Sequence, residues 1–386
     1  MEIFFTILIM TLVVSLSGVA GRLLPFHIPL PLVQIIAGAI LAWPSIGLHV
    51  DFDPDLFLVL FIPPLLFADG WKTPTSEFLH HGREIIGLAL VLVLITVVGI
   101  GYLIYWTVPG IPLIPAFALA AVLSPTDAVA LSGIVGEGRI PKKIMSIVQG
   151  EALMNDASGL VSLKFAVAVA MGTMVFTWSG ATIEFLKVAV GGLVAGVLIC
   201  WLYGKSLRLL SRWSGDDPAT QTVLLMLLPF ASYIIAEHFG FSGILAAVAA
   251  GMTITRSGII RQAPLAMRLR ANSVWQMLEF VFNGMVFLML GLQLPSILET
   301  SIQQANADTN VSIWTLFADV ALVYSALLLV RFCWLFIMQR LSLRVLKKNP
   351  MEFSNYSTRV MLIVTFAGVR GAVTLAGVSS IHLYRA

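Results

Sequence analysis

The chain has 386 residues, of which 59% are hydrophobic and only 11% are charged, and its mean hydropathy is +0.95. A soluble domain is about a quarter charged and could not bury this much apolar surface, so the composition excludes an ordinary soluble fold and predicts a membrane protein. The net charge of +3 is too small to argue for nucleic acid as a partner. Two cysteines that lie far apart in the sequence, Cys200 and Cys333, provide neither a disulfide framework nor a metal-ligand spacing.

Twelve apolar segments are candidates for helices that cross a bilayer, which requires about 20 predominantly apolar residues. In chain order they are residues 3–20, 27–48, 56–70, 84–106, 112–135, 144–172, 182–204, 219–237, 240–255, 273–294, 312–338 and 359–382. Glu2 is the only charge ahead of the first segment, so this segment predicts a retained helix rather than a signal peptide with its basic start. The sequence therefore predicts an all-α polytopic membrane protein with one transmembrane domain over residues 1–386.

The loops between these segments differ in charge. Connections that follow odd-numbered segments carry Lys and Arg, as at Arg139, Lys142 and Lys143, whereas connections that follow even-numbered segments carry none. Basic loops stay on the cytoplasmic side of a membrane. The pattern predicts an N-terminus outside, and twelve segments place the C-terminus outside as well.

Two of the predicted helices are interrupted. The fifth contains Leu-Ser-Pro-Thr-Asp at residues 123–127, and the twelfth contains Ala-Gly-Val-Arg-Gly at residues 367–371. Proline removes a backbone donor and glycine tolerates non-helical torsions, so both sequences can open a helix. The two breaks lie seven segments apart, which gives them opposite directions through the membrane. Broken helices in corresponding positions are typical of transporters built from inverted repeats.

Ionisable residues inside the predicted segments need a reason, because each costs about 2.5–3.5 kcal/mol on insertion scales. The residues concerned are Asp69, Asp127, Glu151, Asp156, Lys164, Glu279, Arg331 and Arg370. We interpret Lys164, and also Glu184, Lys187 and Asp319, as structural or snorkelling side chains. Arg331 requires an acidic partner, for which we predict Glu151, and this pairing would keep Glu151 ionised.

The sixth segment carries the strongest candidate site. Glu151 and Asn155 share one helix face, and Asp156 turns away from it. Burial disfavours the charged form of a carboxylate, so Asp156 could hold a proton that a cation displaces. Na⁺ prefers oxygen ligands, which Asp156, Ser158, Asp127 and backbone carbonyls freed near Thr126 could supply.

The two helix breaks also have electrostatic consequences. Half-helices that meet in mid-membrane bring partial charges of about half an elementary unit each. Asp127 could offset positive helix N-termini and Arg370 could offset negative C-termini. The alternative is that these two residues only hold the crossing together.

The motifs at residues 124–127, 150–156 and 368–372, together with residues 63–69 and 279–294, resemble those of the monovalent cation:proton antiporter-1 family. This family includes bacterial NhaP-type antiporters and eukaryotic sodium/proton exchangers. The resemblance covers essentially the whole chain. It implies a multi-pass protein of the bacterial inner membrane that exchanges Na⁺, Li⁺ or K⁺ for H⁺ without any cofactor.

The resemblance also implies an architecture. The family fold has thirteen helices, two inverted repeats and usually a homodimer, in which a core moves like an elevator against a dimerisation part. We expect the dimerisation part mainly at residues 1–80 and 182–294, and the core mainly at residues 84–172 and 312–386. This chain ends before a thirteenth helix, so we expect a C-terminally truncated core with weak or no activity.

Residue roles follow from the same resemblance. The positions that match the cation- and proton-binding residues of the family are Asp156, Asp127, Thr126 and Asp69. The positions that match its supporting residues are Glu151, Asn155 and Arg331. The Asn-Asp pair at 155–156 resembles electroneutral members of the family and implies one cation for each proton. Asp69 stands where many members have the longer glutamate.

Other functions fit the sequence less well. An intramembrane aspartyl protease would use two buried aspartates that share a proton, but its Gly-x-Gly-Asp and Tyr-Asp patterns do not occur here. An ion channel needs a continuous pore, and nothing in the chain resembles a selectivity filter. A purely structural membrane protein would leave the intramembrane charges unexplained. A K⁺/H⁺ antiporter of the same fold remains open.

Overall fold

The computed structural model describes residues 2–23, 28–43, 59–73, 75–108, 110–127, 142–171, 178–215, 217–307, 313–345, 358–366 and 368. All regular structure within these ranges is helical, which confirms the predicted all-α class. The helices are α1 (Glu2–Leu23), α2 (Leu30–Leu41), α3 (Ile62–Lys72), α4 (Thr75–His80), α5 (Gly82–Ile86), a π-helical stretch (Gly87–Val91), α6 (Leu92–Thr107), α7 (Leu113–Leu123), α8 (Lys142–Ala170), α9 (Trp178–Ser214), α10 (Pro218–His238), α11 (Gly243–Arg256), α12 (Ile259–Gln262), α13 (Leu265–Ala307), α14 (Ile313–Val345) and α15 (Thr358–Phe366).

Each of the twelve predicted segments overlaps at least one of these helices. Seven helical runs in the described ranges are long and apolar enough to cross a membrane by length and composition, and α2, α7 and α11 are shorter apolar helices. The largest errors are at the ends of α9 and α13, which continue well beyond the predicted segments at 182–204 and 273–294. Hydropathy detects only the part of a helix that lipid covers, whereas the backbone hydrogen bonds continue into polar sequence.

Local features fix both ends of α10. The Asp217 carboxylate accepts hydrogen bonds from the backbone N–H groups of Ala219 at 3.0 Å and Thr220 at 3.4 Å. The Thr220 hydroxyl and the Ala219 N–H together hold the pKa of Asp217, which precedes the helix, below its usual value. At the other end Gly240 has φ +73°, which ends α10 in the left-handed region where glycine is favoured.

The helices form two packed groups. The first group contains α1, α2, α3, α9, α10, α11 and α13, and the second contains α6, α7, α8, α14 and α15. The groups meet along α8, where Leu153, Leu160 and Leu163 join the apolar cluster that includes Ile244 and Val248 of α11. The assignment of the first group to a dimerisation part, and of the second to a moving core, stays a prediction.

Glycines allow the closest helix contacts of the first group. An added Cβ at Gly70 of α3 would meet the Val248 carbonyl of α11, and an added Cβ at Gly251 of α11 would meet the Phe67 carbonyl of α3. Contacts through small residues are typical of helices packed inside a membrane, where lipid provides little hydrophobic drive for association. This pair of glycines holds α3, and therefore Asp69, tightly against α11.

The outer surface of the first group is apolar. Leu8, Leu12 and Leu16 of α1 are each more than half exposed, and α9 exposes Leu198 and Trp201 to a similar degree. Exposed apolar stripes of this length on several helices are suited to lipid contact. Together with the long apolar helices, they identify a multi-pass membrane protein.

We expect Gly251→Ala to destabilise the protein by about 1–3 kcal/mol, because the new methyl group overlaps the Phe67 carbonyl and forces α3 and α11 apart. Thermal unfolding in detergent, followed by tryptophan fluorescence, measures the change. Gly99→Ala in α6 is the matched control, because a Cβ at Gly99 meets open space. Equal melting temperatures for the two variants would contradict the close-packing argument.

Candidate functional site

A buried ion pair lies at the centre of the second helix group. The Glu151 carboxylate of α8 accepts hydrogen bonds from both terminal nitrogens of Arg331 on α14, with an Nη2–Oε2 distance of 2.7 Å. The Arg331 Nε donates to the Val364 carbonyl of α15 at 3.0 Å. Glu151 and Arg331 are 0% and 3% exposed, so neither charge has access to water. The predicted pairing is confirmed, and one guanidinium joins three helices.

The helix of the fifth predicted segment ends where its sequence indicates a break. Helix α7 ends at Leu123, and residues 125–127 have no helical assignment. The Ser124 hydroxyl donates back to the Ala121 carbonyl at 2.8 Å and satisfies one of the last carbonyls of the helix. Pro125 then supplies no backbone donor. The chain therefore carries Thr126 and Asp127 in non-helical backbone beside α8.

Helix α8 holds this interrupted segment through two contacts. The Asn155 amide nitrogen donates to the Thr126 hydroxyl oxygen at 2.7 Å, and both side chains are buried. Gly159, one turn further along α8, lies against Pro125 and the Ala121 carbonyl so closely that a Cβ would not fit. The break and the middle of α8 are thus fixed against each other.

Asp156 lies beside this junction and is half-buried. Its carboxylate is close enough to those of Asp127 and Asp69 for the three to interact electrostatically. The carboxylates come from three separate places in the sequence: α3, the end of the α7 segment, and α8. Like charges gathered away from water repel one another, and a bound proton or cation relieves the repulsion.

One further oxygen is available at the junction. Within the described part of the chain, the side-chain oxygen of Asn155 is buried and accepts no hydrogen bond. An unsatisfied buried acceptor is costly, and a cation or water can satisfy it. The Ser158 hydroxyl donates to the Met154 carbonyl at 3.0 Å, which leaves the lone pairs of its oxygen available to a cation.

The structure therefore places most of the predicted site residues close together. Thr126 contacts Asn155 directly, and the carboxylates of Asp127 and Asp69 interact electrostatically with that of Asp156. Glu151 and Asn155 lie one helical turn apart on α8. The Arg370 prediction lies outside the described residues. Sodium coordination by Asp156 and Asp127 stays a prediction, as does the part of Ser158 in it.

The sequence did not identify the partners in two ion pairs near the site. Lys72 of α3 contacts Glu279 of α13, and Lys164 of α8 contacts Glu237 of α10 with an Nζ–Oε2 distance of 2.7 Å. The sequence shows Glu279 as an ionisable residue inside a predicted segment but does not identify Lys72 as its partner. Residues 207 positions apart share no sequence signal that identifies them as partners.

The arrangement is suited to binding a small hard cation in competition with protons. Carboxylate, hydroxyl and amide oxygens of Asp156, Thr126 and Asn155 lie beside the end of α7, and oxygen ligands of this kind suit such a cation. The buried carboxylate of Glu151 is neutralised by Arg331. Exchange of a proton for a cation at Asp156, Asp127 and Asp69 stays a prediction.

Comparisons with known proteins agree with this chemistry. The family described as "Sodium/hydrogen exchanger, transmembrane" matches residues 7–384. A protein of Escherichia coli K12 named "Uncharacterized Na(+)/H(+) exchanger YjcE" is 78% identical over 99% of this chain and 70% of its own length. A Bacillus pumilus protein named "Sodium, potassium, lithium and rubidium/H(+) antiporter" is 41% identical over 99% of this chain.

A solved structure shares the fold. The sodium proton antiporter MjNhaP1 of Methanocaldococcus jannaschii at pH 8 superposes with a TM-score of 0.69 over 99% of this chain and 89% of that chain, at 18% sequence identity. The chain spans only 56% of the length of the Bacillus relative. The fold match supports the predicted antiporter architecture, while the inverted repeat itself stays a prediction.

We expect Glu151→Gln to lower the stability of the folded protein by about 3–5 kcal/mol, because Arg331 would keep its charge and lose its buried partner. The measurements are yield after purification and melting temperature in detergent. Glu184→Gln is the matched control, since Glu184 pairs with Lys187 on an exposed helix surface at 3.4 Å and such pairs contribute less than about 1 kcal/mol. Equal losses in the two variants would contradict a special role for the buried pair.

Proposed function

Since the chain belongs to the family of transmembrane sodium/hydrogen exchangers, we propose that it exchanges Na⁺ for H⁺ across the bacterial inner membrane, one cation for one proton, at Asp156. The observation that carries this proposal is the position of Asp156. It is a half-buried carboxylate in the middle of α8, beside the break that follows α7 and within electrostatic reach of Asp127 and Asp69. The family consists of transporters, so the chain is not an enzyme and the protease alternative is wrong.

The proposed mechanism is competition for one carboxylate. Asp156 holds either a proton or Na⁺, and the arrival of one favours the release of the other. Thr126, Asp127, the free oxygen of Asn155 and the Ser158 hydroxyl would complete the oxygen shell around the ion. A single site becomes an exchanger once it can face each side of the membrane in turn and cannot turn while empty.

Alternation would come from movement of the second helix group against the first. Asp156 lies on α8, where the two groups meet, so a shift of α8 relative to α11 would carry the site across the membrane. The Glu151–Arg331 pair would keep α8, α14 and α15 together during that movement. In this proposal the first group stays fixed and forms a homodimer.

Relatives of this chain differ in the monovalent cations that their names include. The name of the Bacillus pumilus relative includes potassium, lithium and rubidium beside sodium. A K⁺/H⁺ exchanger with the same site is therefore the second candidate. Oxygen ligands of the kind gathered around Asp156 accept all of these ions, and the size of the site decides among them.

We expect Asp156→Asn to abolish cation-dependent proton movement, since an amide can neither release a proton nor neutralise a cation. The measurement uses the purified protein in proteoliposomes that contain a pH-sensitive dye, with Na⁺, K⁺ and Li⁺ added in turn. Asp319→Asn is the control, because it removes a carboxylate from α14 at a position outside the site. It should exchange at the wild-type rate.

Retained exchange by Asp156→Asn, in protein that elutes and melts as the wild type does, would overturn the proposed role of Asp156. A response to K⁺ that exceeds the response to Na⁺ would favour the second candidate. No response of the wild type to any monovalent cation would overturn the function itself.

We expect the cation concentration at half-maximal rate to rise as pH falls, because protons and cations compete for the same carboxylate. The maximal rate at saturating cation should be independent of an imposed membrane potential if one charge crosses in each direction. Both quantities come from proteoliposomes in which a gradient of a membrane-permeant organic cation sets the potential while Na⁺ is varied. A half-saturating concentration that stays constant between pH 6 and 9 would contradict a shared site.

A further inference from the structure

The ion pair between Lys72 and Glu279 lies at the end of α3 that is predicted to face the cytoplasm. Lys72 is the last residue of α3, and its side chain is 63% exposed, whereas the Glu279 side chain on α13 is only 14% exposed. The amine therefore lies at the surface, and the carboxylate points into the protein. The largely buried carboxylate of Glu279 therefore lies next to a surface position that ions can reach from solution.

This pair is continuous with the acidic residues of the proposed site. Asp69 precedes Lys72 by one turn of α3, and its carboxylate interacts electrostatically with Lys72, Glu279 and Asp127. Asp127 in turn interacts with Asp156. Negative side chains therefore follow one another from Glu279 at the rim, through Asp69 and Asp127, to the proposed exchange site.

The pair is not needed to hold α3 against α13. The rings of Phe67 and Trp71 on α3 pack on Trp275 of α13, with ring centroids 5.0 Å and 5.9 Å from that of Trp275. Trp275 is 4% exposed and lies one helical turn before Glu279. Aromatic contacts of this kind carry the packing, whereas an ion pair with one exposed partner adds little stability. Helix packing alone therefore does not explain why Lys72 and Glu279 are paired at this position.

We propose that Glu279 is a further cation-selecting residue at the rim of the path to Asp156, and that Lys72 is its built-in counter-cation. When no ion is in transit, the ammonium group of Lys72 neutralises Glu279 and also opposes the negative field of Asp69. An arriving monovalent cation must compete with this ammonium group. Lys72 consequently lowers the apparent affinity for the cation, and Glu279 raises it. This inference rests on the proposed cation exchange.

The two members of the pair should therefore have opposite effects when they are neutralised. Lys72→Gln frees Glu279 to attract cations and should lower the half-saturating Na⁺ concentration about threefold to tenfold, as expected for one charge removed at a partly screened position. Glu279→Gln leaves Lys72 as an uncompensated positive charge and should raise that concentration by a similar factor. The double variant should lie between the two, and maximal rates should change by less than about twofold.

The experiment uses everted membrane vesicles, which present the cytoplasmic face to the bath, at one fixed pH. Dequenching of a pH-sensitive dye is recorded over a range of Na⁺ concentrations for the wild type and the three variants. Lys187→Gln is the matched control, because Lys187 also pairs with a glutamate on an exposed helix surface but lies far along the chain on α9. Its half-saturating concentration should equal that of the wild type.

The outcomes separate the inference from the function on which it rests. Unchanged half-saturation in Lys72→Gln, or shifts of the same sign in Lys72→Gln and Glu279→Gln, would overturn the inference while wild-type exchange and its loss in Asp156→Asn stand. No response of the wild type to any monovalent cation would instead remove the proposed function, and the inference with it. Lys72 is largely exposed, so the sign of its effect decides the matter even if Glu279→Gln fails to fold.

Discussion

A charge inside a membrane protein must find its counter-charge within the protein, and this constraint organises the second helix group. Arg331 could not remain in α14 at 3% exposure without Glu151, and Glu151 could not remain in α8 at 0% exposure without Arg331. The bidentate contact fixes the rotation of α8 relative to α14, and the bond from Arg331 to the Val364 carbonyl adds α15.

Helix α8 carries two acidic side chains, Glu151 and Asp156, that lie in different electrostatic surroundings. Glu151 has a permanent partner on a neighbouring helix. Asp156, little more than one turn later, faces the break after α7 and other carboxylates. A fixed guanidinium satisfies the first charge, so that charge has no reason to bind a passing ion. In the proposed function, the Asp156 carboxylate binds a proton or a cation in turn.

The interface between the two helix groups combines apolar packing with one ionic contact. Leu153, Leu160 and Leu163 of α8 pack on α11, and Lys164 of α8 reaches both carboxylate oxygens of Glu237 on α10. Glu237 also accepts a hydrogen bond from the Gly243 N–H at the start of α11. Movement of α8 against the first group would break the Lys164–Glu237 contact, while the Lys72–Glu279 contact lies within the first group and would persist.

The sequence by itself determined the membrane class, the positions of the twelve helical segments, the break after Leu123 and the pairing of Glu151 with Arg331. Each depends on a local property or on a rule with few solutions: apolar run length, the chemistry of proline, and the need of a buried arginine for an acid. Tertiary structure alone decided that Asn155 binds Thr126, that Asp69 lies near Asp127, and that Lys72 and Lys164 have glutamate partners. These contacts join residues far apart in sequence, and the packing of whole helices on glycines such as Gly70, Gly159 and Gly251 sets their distances.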